Sequence, residues 1–309
     1  MTERTELVAA ARDTIAQGSQ SFAAASRLFA RPTRERAWLL YAWCRAADDM
    51  TDGQELGHGA SALDDPAAAQ ARLEALTALA LYSEEPVPVP FAALRQVARE
   101  TGMPRHFIED HLAGFALDAQ GWRPRTGDDL LRYCYHVAGS VGCMMAVVMG
   151  VPPGDEDTLD RACDLGLAFQ LANIARDVVP DARAGRCYLP SEWLDAARLS
   201  AEQLASPEAL PAIAAMAARL VEMARPYRLS ARVGAARLPG RSRLAVLAAD
   251  AIYGEIGEQV LLLGTHAWDQ RVRVSGAGKL RLLGQAMLRA LASPVPASRS
   301  DLWTRPRQG

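Results

Sequence analysis

Paired cysteines are missing from this sequence. Its five cysteines, Cys44, Cys134, Cys143, Cys163 and Cys187, are scattered and odd in number. No Cys-x-x-Cys spacing occurs, which excludes a disulfide framework and a cysteine-built zinc site. Long apolar runs are missing too. The longest, Val141 to Val151, is interrupted by Gly142 and Gly150 and is too short to span a bilayer. Strand-like alternation and internal repeats are absent. So are a Ser-His-Asp arrangement, a P-loop and a dinucleotide-binding glycine loop, which sets those chemistries aside. Net charge is only −2, so no bulk basic field favours nucleic acid. Lys279 is the only lysine among 34 basic residues. The N-terminus is polar and charged, without the apolar core of a signal peptide. The expectation is a cytoplasmic protein.

What is present is helix-forming. Half of the residues are hydrophobic, enough for a sizeable core. Helices are predicted at about 3–17, 34–51, 66–82, 90–101, 105–118, 127–150, 155–179, 212–234, 241–264 and 278–291. Thr33 is the expected N-cap of the second and Gly53 its C-terminal glycine. The fold class expected is all-α, a single domain over 1–292, with 293–309 a flexible tail rich in Pro and Arg. Two glycines, Gly139 and Gly142, fall with Ala138 inside the 127–150 helix. Glycine there costs about 1 kcal/mol relative to alanine, so close approach of another helix or a ligand is the reason to expect.

Two helix ends carry paired acids. Asp48 and Asp52 stand at i and i+4 before Gly53; Asn173, Asp177 and Asp181 stand at i, i+4 and i+8 before and after Pro180. Each set shares one helix face. Proline disfavours helical geometry in the residue before it, so the second helix is expected to stop at Val179. Acids at a helix C-terminus oppose the macrodipole. Like charges 4 Å apart repel by about 4 kcal/mol at an effective dielectric of 20. One such end has a bland explanation as a solvated helix terminus; two favour a cation. Mg²⁺ takes oxygen ligands and is usually held by one or two carboxylates plus substrate phosphates. Arg45 and Arg176, each near an acid, could bind a diphosphate. The hydroxyl-rich stretch 18–26 reads either as a helix cap or as a lip for an anion.

These residues resemble the squalene/phytoene synthase family. Leu165-Gly166, Gln170, Asn173-Ile174, Arg176-Asp177, Asp181, Arg186, Tyr188 and Pro190 match one family signature without a gap. Tyr133-Cys134, Val137-Ala138-Gly139, Val141-Gly142 and Met145 match another, and Tyr41 to Arg45 with Asp48 and Asp52 is similar to the first aspartate motif. The likeness covers roughly 18–290 and is strongest to bacterial phytoene synthases. It implies an isoprenoid-synthase-type helical bundle around a central apolar cavity. It implies Mg²⁺, with Mn²⁺ a substitute, held by Asp48, Asp52, Asn173, Asp177 and Asp181; the four aspartates would be catalytic. Ser19, Ser21, Tyr41, Arg45, Gln170, Arg176 and Tyr253 would line the diphosphate and allylic end, and Arg271 with Lys279 would close over the phosphates.

The implied reaction joins two geranylgeranyl diphosphates head to head through a cyclopropyl diphosphate to phytoene, with no NADPH. The alternatives are a C30 synthase acting on two farnesyl diphosphates, and a non-catalytic helical assembly factor of the same fold. Isoprenoid diphosphates are the expected partners, without nucleic acid or an obligate protein partner. The lipidic substrate implies loose peripheral association with the inner membrane. Two departures from relatives are Gln20, where many carry Lys, and Gly276, where plant members have Lys; both bear on substrate affinity.

Overall fold

In the computed structural model, residues 3–52 and 65–307 are described, and among them all regular structure is helical. The side chains of Gln20, Ser21, Phe22 and Asp52 lie outside the described ones, as does Gly53. Two compact units divide the chain: 1–120 with 144–155, and 121–143 with 156–309. No helix among the described residues is long and apolar enough to cross a membrane.

The first unit holds α1 (Arg4–Gly18), α2 (Gln20–Ser26), α3 (Arg31–Asp52), α4 (Pro66–Tyr82), α5 (Val89–Thr101) and α6 (Arg105–Ala119). Helix α3 begins earlier than the Thr33 cap predicts. Its first backbone bond runs from the Arg34 N–H to the Ala30 carbonyl at 2.9 Å. Pro32 then occupies the first turn, where its missing N–H is not needed. Trp43 is fully buried, and its indole N–H donates to Thr77 Oγ1 at 3.3 Å. Arg4 bridges Glu35 (2.7 Å) and Glu100 (2.6 Å), tying the start of α1 to α3 and α5.

The second unit holds α7 (Gly127–Cys134), the start of α8 (Ser140–Val148), α9 (Glu156–Arg183), α10 (Ser191–Ala197), α11 (Leu210–Ala235), α12 (Gly240–Leu263) and α13 (Gly276–Leu291). The helix expected over 127–150 is interrupted by a π-helical turn at Tyr135–Gly139. That wider turn lies where α9 comes in close. A Cβ on Gly166 would sit 2.3 Å from the Ala138 carbonyl oxygen, and one on Gly142 would sit 2.4 Å from that of Ala162. The small residues are therefore there for backbone-to-backbone contact.

Helix α9 does not stop at Val179. It runs through Pro180 to Arg183. The proline has no N–H to give the Arg176 carbonyl, yet Leu171, Ile174, Ala175, Val178 and Val179 are buried. Burial of these side chains holds the helix in spite of the lost bond.

The segment 293–309, expected as a flexible tail, is anchored over most of its described length. Arg299 grips the fully buried Asp164 with two bonds (2.7 and 2.9 Å) and reaches Asp160 at 3.0 Å. Arg307 donates to Asp160 at 2.6 and 2.9 Å, and the buried Arg305 pairs with Asp160 and Glu156. Trp303 lies 5.7 Å from the Tyr135 ring of the π turn. Sequence reading missed this because the partners are far away in the chain and their helix faces looked merely polar. Arg299→Ala would strand a buried carboxylate, so it is expected to destabilise by about 3 kcal/mol. The urea midpoint should fall at an unchanged slope; an unmoved midpoint would mean the arm is only laid on the surface.

Candidate active site

The first unit brings several predicted residues together on and beside α3. Tyr41, Arg45 and Asp48 follow at one-turn intervals. Arg45 lies 3.2 Å from Asp48 and 3.6 Å from Asp49, an acid that spacing arguments passed over. Its Nε is buried with no hydrogen-bond partner among the described residues. A buried unsatisfied donor of this kind suits an anionic oxygen. Burial pushes the Tyr41 hydroxyl up from its ordinary pKa, against the pull of the neighbouring Arg45. A Cβ on Gly18 would be 2.8 Å from Tyr41 Oη, so the Gly18-Ser19 turn lies against that ring. Ser19 ends α1, and its carbonyl accepts the Ala23 N–H at 2.8 Å. Ser21 and Asp52 belong to this group by sequence; their side chains lie outside the described ones.

The second unit places Gln170, Asn173, Arg176, Asp177 and Asp181 along the C-terminal half of α9. Asn173 Nδ2 points to Gln170 Oε1 at 3.5 Å. Asp177 is held by Arg176 Nε at 2.9 Å and by Arg271 at 2.9 and 3.1 Å. Arg271, expected to close over phosphates, thus sits on the acid itself. Tyr253 of α12 stacks on Phe169, centroids 3.9 Å apart, and burial raises its hydroxyl pKa. Lys279 lies in the first turn of α13.

The electrostatics of the two acids diverge. Burial pushes Asp177 up, but the hydrogen bonds from Arg176 and Arg271 outweigh it and hold the carboxyl below its usual range. Asp181 is pushed up to about 7, first by burial and then by the Asp177 charge, with Arg186, Arg176 and Arg271 opposing. The face is short of positive charge at Asp181. Two carboxylates and an amide oxygen on one helix face are a hard-oxygen donor set that suits Mg²⁺. Among the described residues no three of His, Cys, Asp and Glu gather closely enough to hold an ion by themselves. Magnesium bound partly through substrate phosphates does not require that.

Asp181 also borders a small hollow lined by Ile174, Val178, Arg186, Tyr188 and Leu204. Tyr188 stacks on Tyr133 (4.9 Å), which stacks on Trp122 (5.7 Å). Sequence reading quoted Tyr133 and Tyr188 only as signature residues. Their pairing across 55 positions of chain had no local signal to reveal it.

This helical fold is shared by solved structures. The crystal structure of a dehydrosqualene synthase in complex with ligand superposes with a TM-score of 0.81 at 28% identity, covering 92% of this chain and 96% of that one. The profile of the squalene/phytoene synthase family matches residues 15–277. A 15-cis-phytoene synthase of Paracoccus sp. is 48% identical over 98% of this chain and 99% of its own length. One from Pantoea ananas is 48% identical over 95% and 96%. The chain belongs to the squalene/phytoene synthase family.

Proposed function

We propose that this chain is a phytoene-forming enzyme: a Mg²⁺-dependent prenyltransferase that condenses two geranylgeranyl diphosphates head to head to phytoene and diphosphate. The observation that carries this reading is the 48% identity to 15-cis-phytoene synthases over almost the whole chain. The geometry supports it. Arg45, with its unsatisfied buried Nε, is a diphosphate ligand. Asp48, Asp52, Asn173, Asp177 and Asp181 are the ligands proposed for Mg²⁺, with Mn²⁺ as a substitute. The metal would supply Lewis acidity toward the departing diphosphate. Arg176 and Arg271 exchange Asp177 for phosphate oxygens when substrate arrives. Apolar helix faces keep water from the allylic cation. The protein works in the cytoplasm, at the inner membrane from which its lipid substrate is drawn.

The likeness to a dehydrosqualene synthase keeps a second reading, condensation of two farnesyl diphosphates to a C30 product. Its identity is much lower, 28% against 48%. Incubation with each diphosphate separates them. Phytoene from geranylgeranyl diphosphate is expected, and its formation should stop with EDTA and return with Mg²⁺. A C30 product from farnesyl diphosphate, with none from the longer substrate, would overturn the C40 reading. Turnover indifferent to chelation would overturn the metal.

A further inference from the structure

Helices α11, α12 and α13 of the second unit bring three arginines to one buried carboxylate. Asp250 of α12 is only 1% exposed. Arg228 Nε of α11 donates to its Oδ1 at 2.6 Å, and Arg232 Nε, one turn on, to its Oδ2 at 2.8 Å. Arg289 of α13 comes within 4.0 Å of the same Oδ2, too far for a hydrogen bond. Arg243, two turns before Asp250 on the same face of α12, flanks the group. Its Nη2 donates to the carbonyls of Ala292 (2.6 Å) and Arg289 (3.4 Å) at the end of α13.

The charges do not balance. Among the described residues Asp250 is the only carboxylate within 4.0 Å of these arginines, so three positive charges converge on one negative charge. The other acids of this stretch of α12 are engaged elsewhere, Glu255 with Arg281 and Glu258 with Arg225. Donors are left over as well. Arg228 is fully engaged: its Nη2 donates to the Asp250 carbonyl at 3.1 Å, and its guanidinium fills the space beside Gly254 that a Cβ would need. Arg232, by contrast, uses only its Nε, and the Arg289 side chain donates to no acceptor among the described residues. Arg243 Nε is buried without an acceptor. Burial and the Arg232 charge pull the Arg289 guanidinium below its ordinary pKa, with Asp250 opposing. Arg232 and Arg289 form the open side of the group, with side chains 27 and 43% exposed.

We propose that Arg232 and Arg289, backed by Arg228, form a second anion site that takes free phosphate or diphosphate. Guanidinium groups fork onto phosphate oxygens, and a dianion would offset the surplus charge that Asp250 leaves. A lone carboxylate ligand brings too little charge, and a nucleic acid would need a row of cations where this is a single cluster. The site is separate from the acids of α9. Among the described residues none of these arginines lies within 4.0 Å of Asp177, which is held by Arg176 and Arg271 instead. Diphosphate as an occupant rests on the isoprenoid reading above, in which it is the released product; inorganic phosphate does not. Binding is measured without substrate or metal, so the two readings fail separately.

The experiment is titration calorimetry of the full chain with inorganic phosphate and with inorganic diphosphate, in EDTA and at physiological ionic strength, where weak surface attraction is screened. The wild-type chain is expected to bind either anion at one site. Arg289→Gln should weaken that binding roughly ten-fold, the loss of one charge-assisted contact. Arg45→Gln should leave it unchanged. The Arg289 side chain is partly exposed and makes no hydrogen bond among the described residues, so the helical signal and turnover of Arg289→Gln should match wild type. Dimethylallyl diphosphate, titrated in parallel, separates a free anion from the head of a prenyl ester, and it should bind no better than diphosphate. Absence of binding by the wild-type chain, or undiminished binding by Arg289→Gln, would overturn the proposal. So would loss of binding in Arg45→Gln, which would put the anion beside α3. A clear preference for the prenyl ester would also overturn it, because the cluster would then be part of a substrate site.

Discussion

Asp177→Asn is expected to lower turnover about a thousand-fold while leaving the helical fold intact. The substitution keeps the shape of the side chain and one acceptor oxygen but removes the charge. In the folded protein that charge is the meeting point of Arg176 and Arg271, which come from α9 and from the segment before α13. Arg176 and Asp177 are only 14 and 16% exposed on their side chains, so water screens the cluster poorly. Asparagine leaves the two guanidinium groups without the carboxylate they share. It also removes the more readily ionised of the two carboxylates proposed as ligands on this face, because Asp177 is held below its ordinary pKa whereas Asp181 is pushed up to about 7. The variant should need more Mg²⁺ for half-maximal rate as well as losing maximal rate. Circular dichroism and the urea midpoint distinguish this from collapse of the fold. Turnover within a few-fold of wild type would remove Asp177 from the metal site; loss of helical signal would make it a structural acid.

The groupings that follow helical periodicity were legible in the sequence. Asp48 with Arg45, and Asn173 with Asp177 and Asp181, each lie on one helix, where a spacing of four is a statement about space. Helix existence was legible for the same reason, and family likeness supplied the joining of the two motifs into one chemistry. Legibility failed where distant segments meet. The Arg271–Asp177 pair spans 94 positions and the Arg299–Asp164 grip spans 135. Nothing within either segment announces the other. It failed again at Pro180, where the local preference of the chain was read correctly and overruled. Buried Val178 and Val179 hold the helix against the missing hydrogen bond. The π turn at Tyr135–Gly139 is a third instance, since glycines in a helix signalled close approach without saying how the backbone would make room.

That close approach carries the largest stability effect expected of a single methyl group. Gly166→Ala would place its Cβ 2.3 Å from the Ala138 oxygen, 2.6 Å from the Ala138 carbonyl carbon and 2.7 Å from the Gly139 Cα. All three are backbone atoms, so no rotamer change relieves the overlap, and α9 must move away from the π turn. Overpacking of this sort costs about 3 kcal/mol. Gly284→Ala makes the same chemical change in the middle of α13, where a Cβ meets nothing within 4 Å. There alanine should stabilise by up to about 1 kcal/mol through helix propensity alone. The two substitutions therefore predict urea midpoints that move in opposite directions. Activity should separate them further. Gln170, Asn173 and Asp177 stand one to three turns along α9 from Gly166, and a shift of the helix by about 1 Å can cost a hundred-fold in rate. Gly166→Ala should thus lose turnover even under conditions where it is fully folded, and Gly284→Ala should not. A Gly166→Ala protein as stable and as active as wild type would mean that α9 and the π turn are not in backbone contact, and the acids on α9 would then owe their placement to some other support.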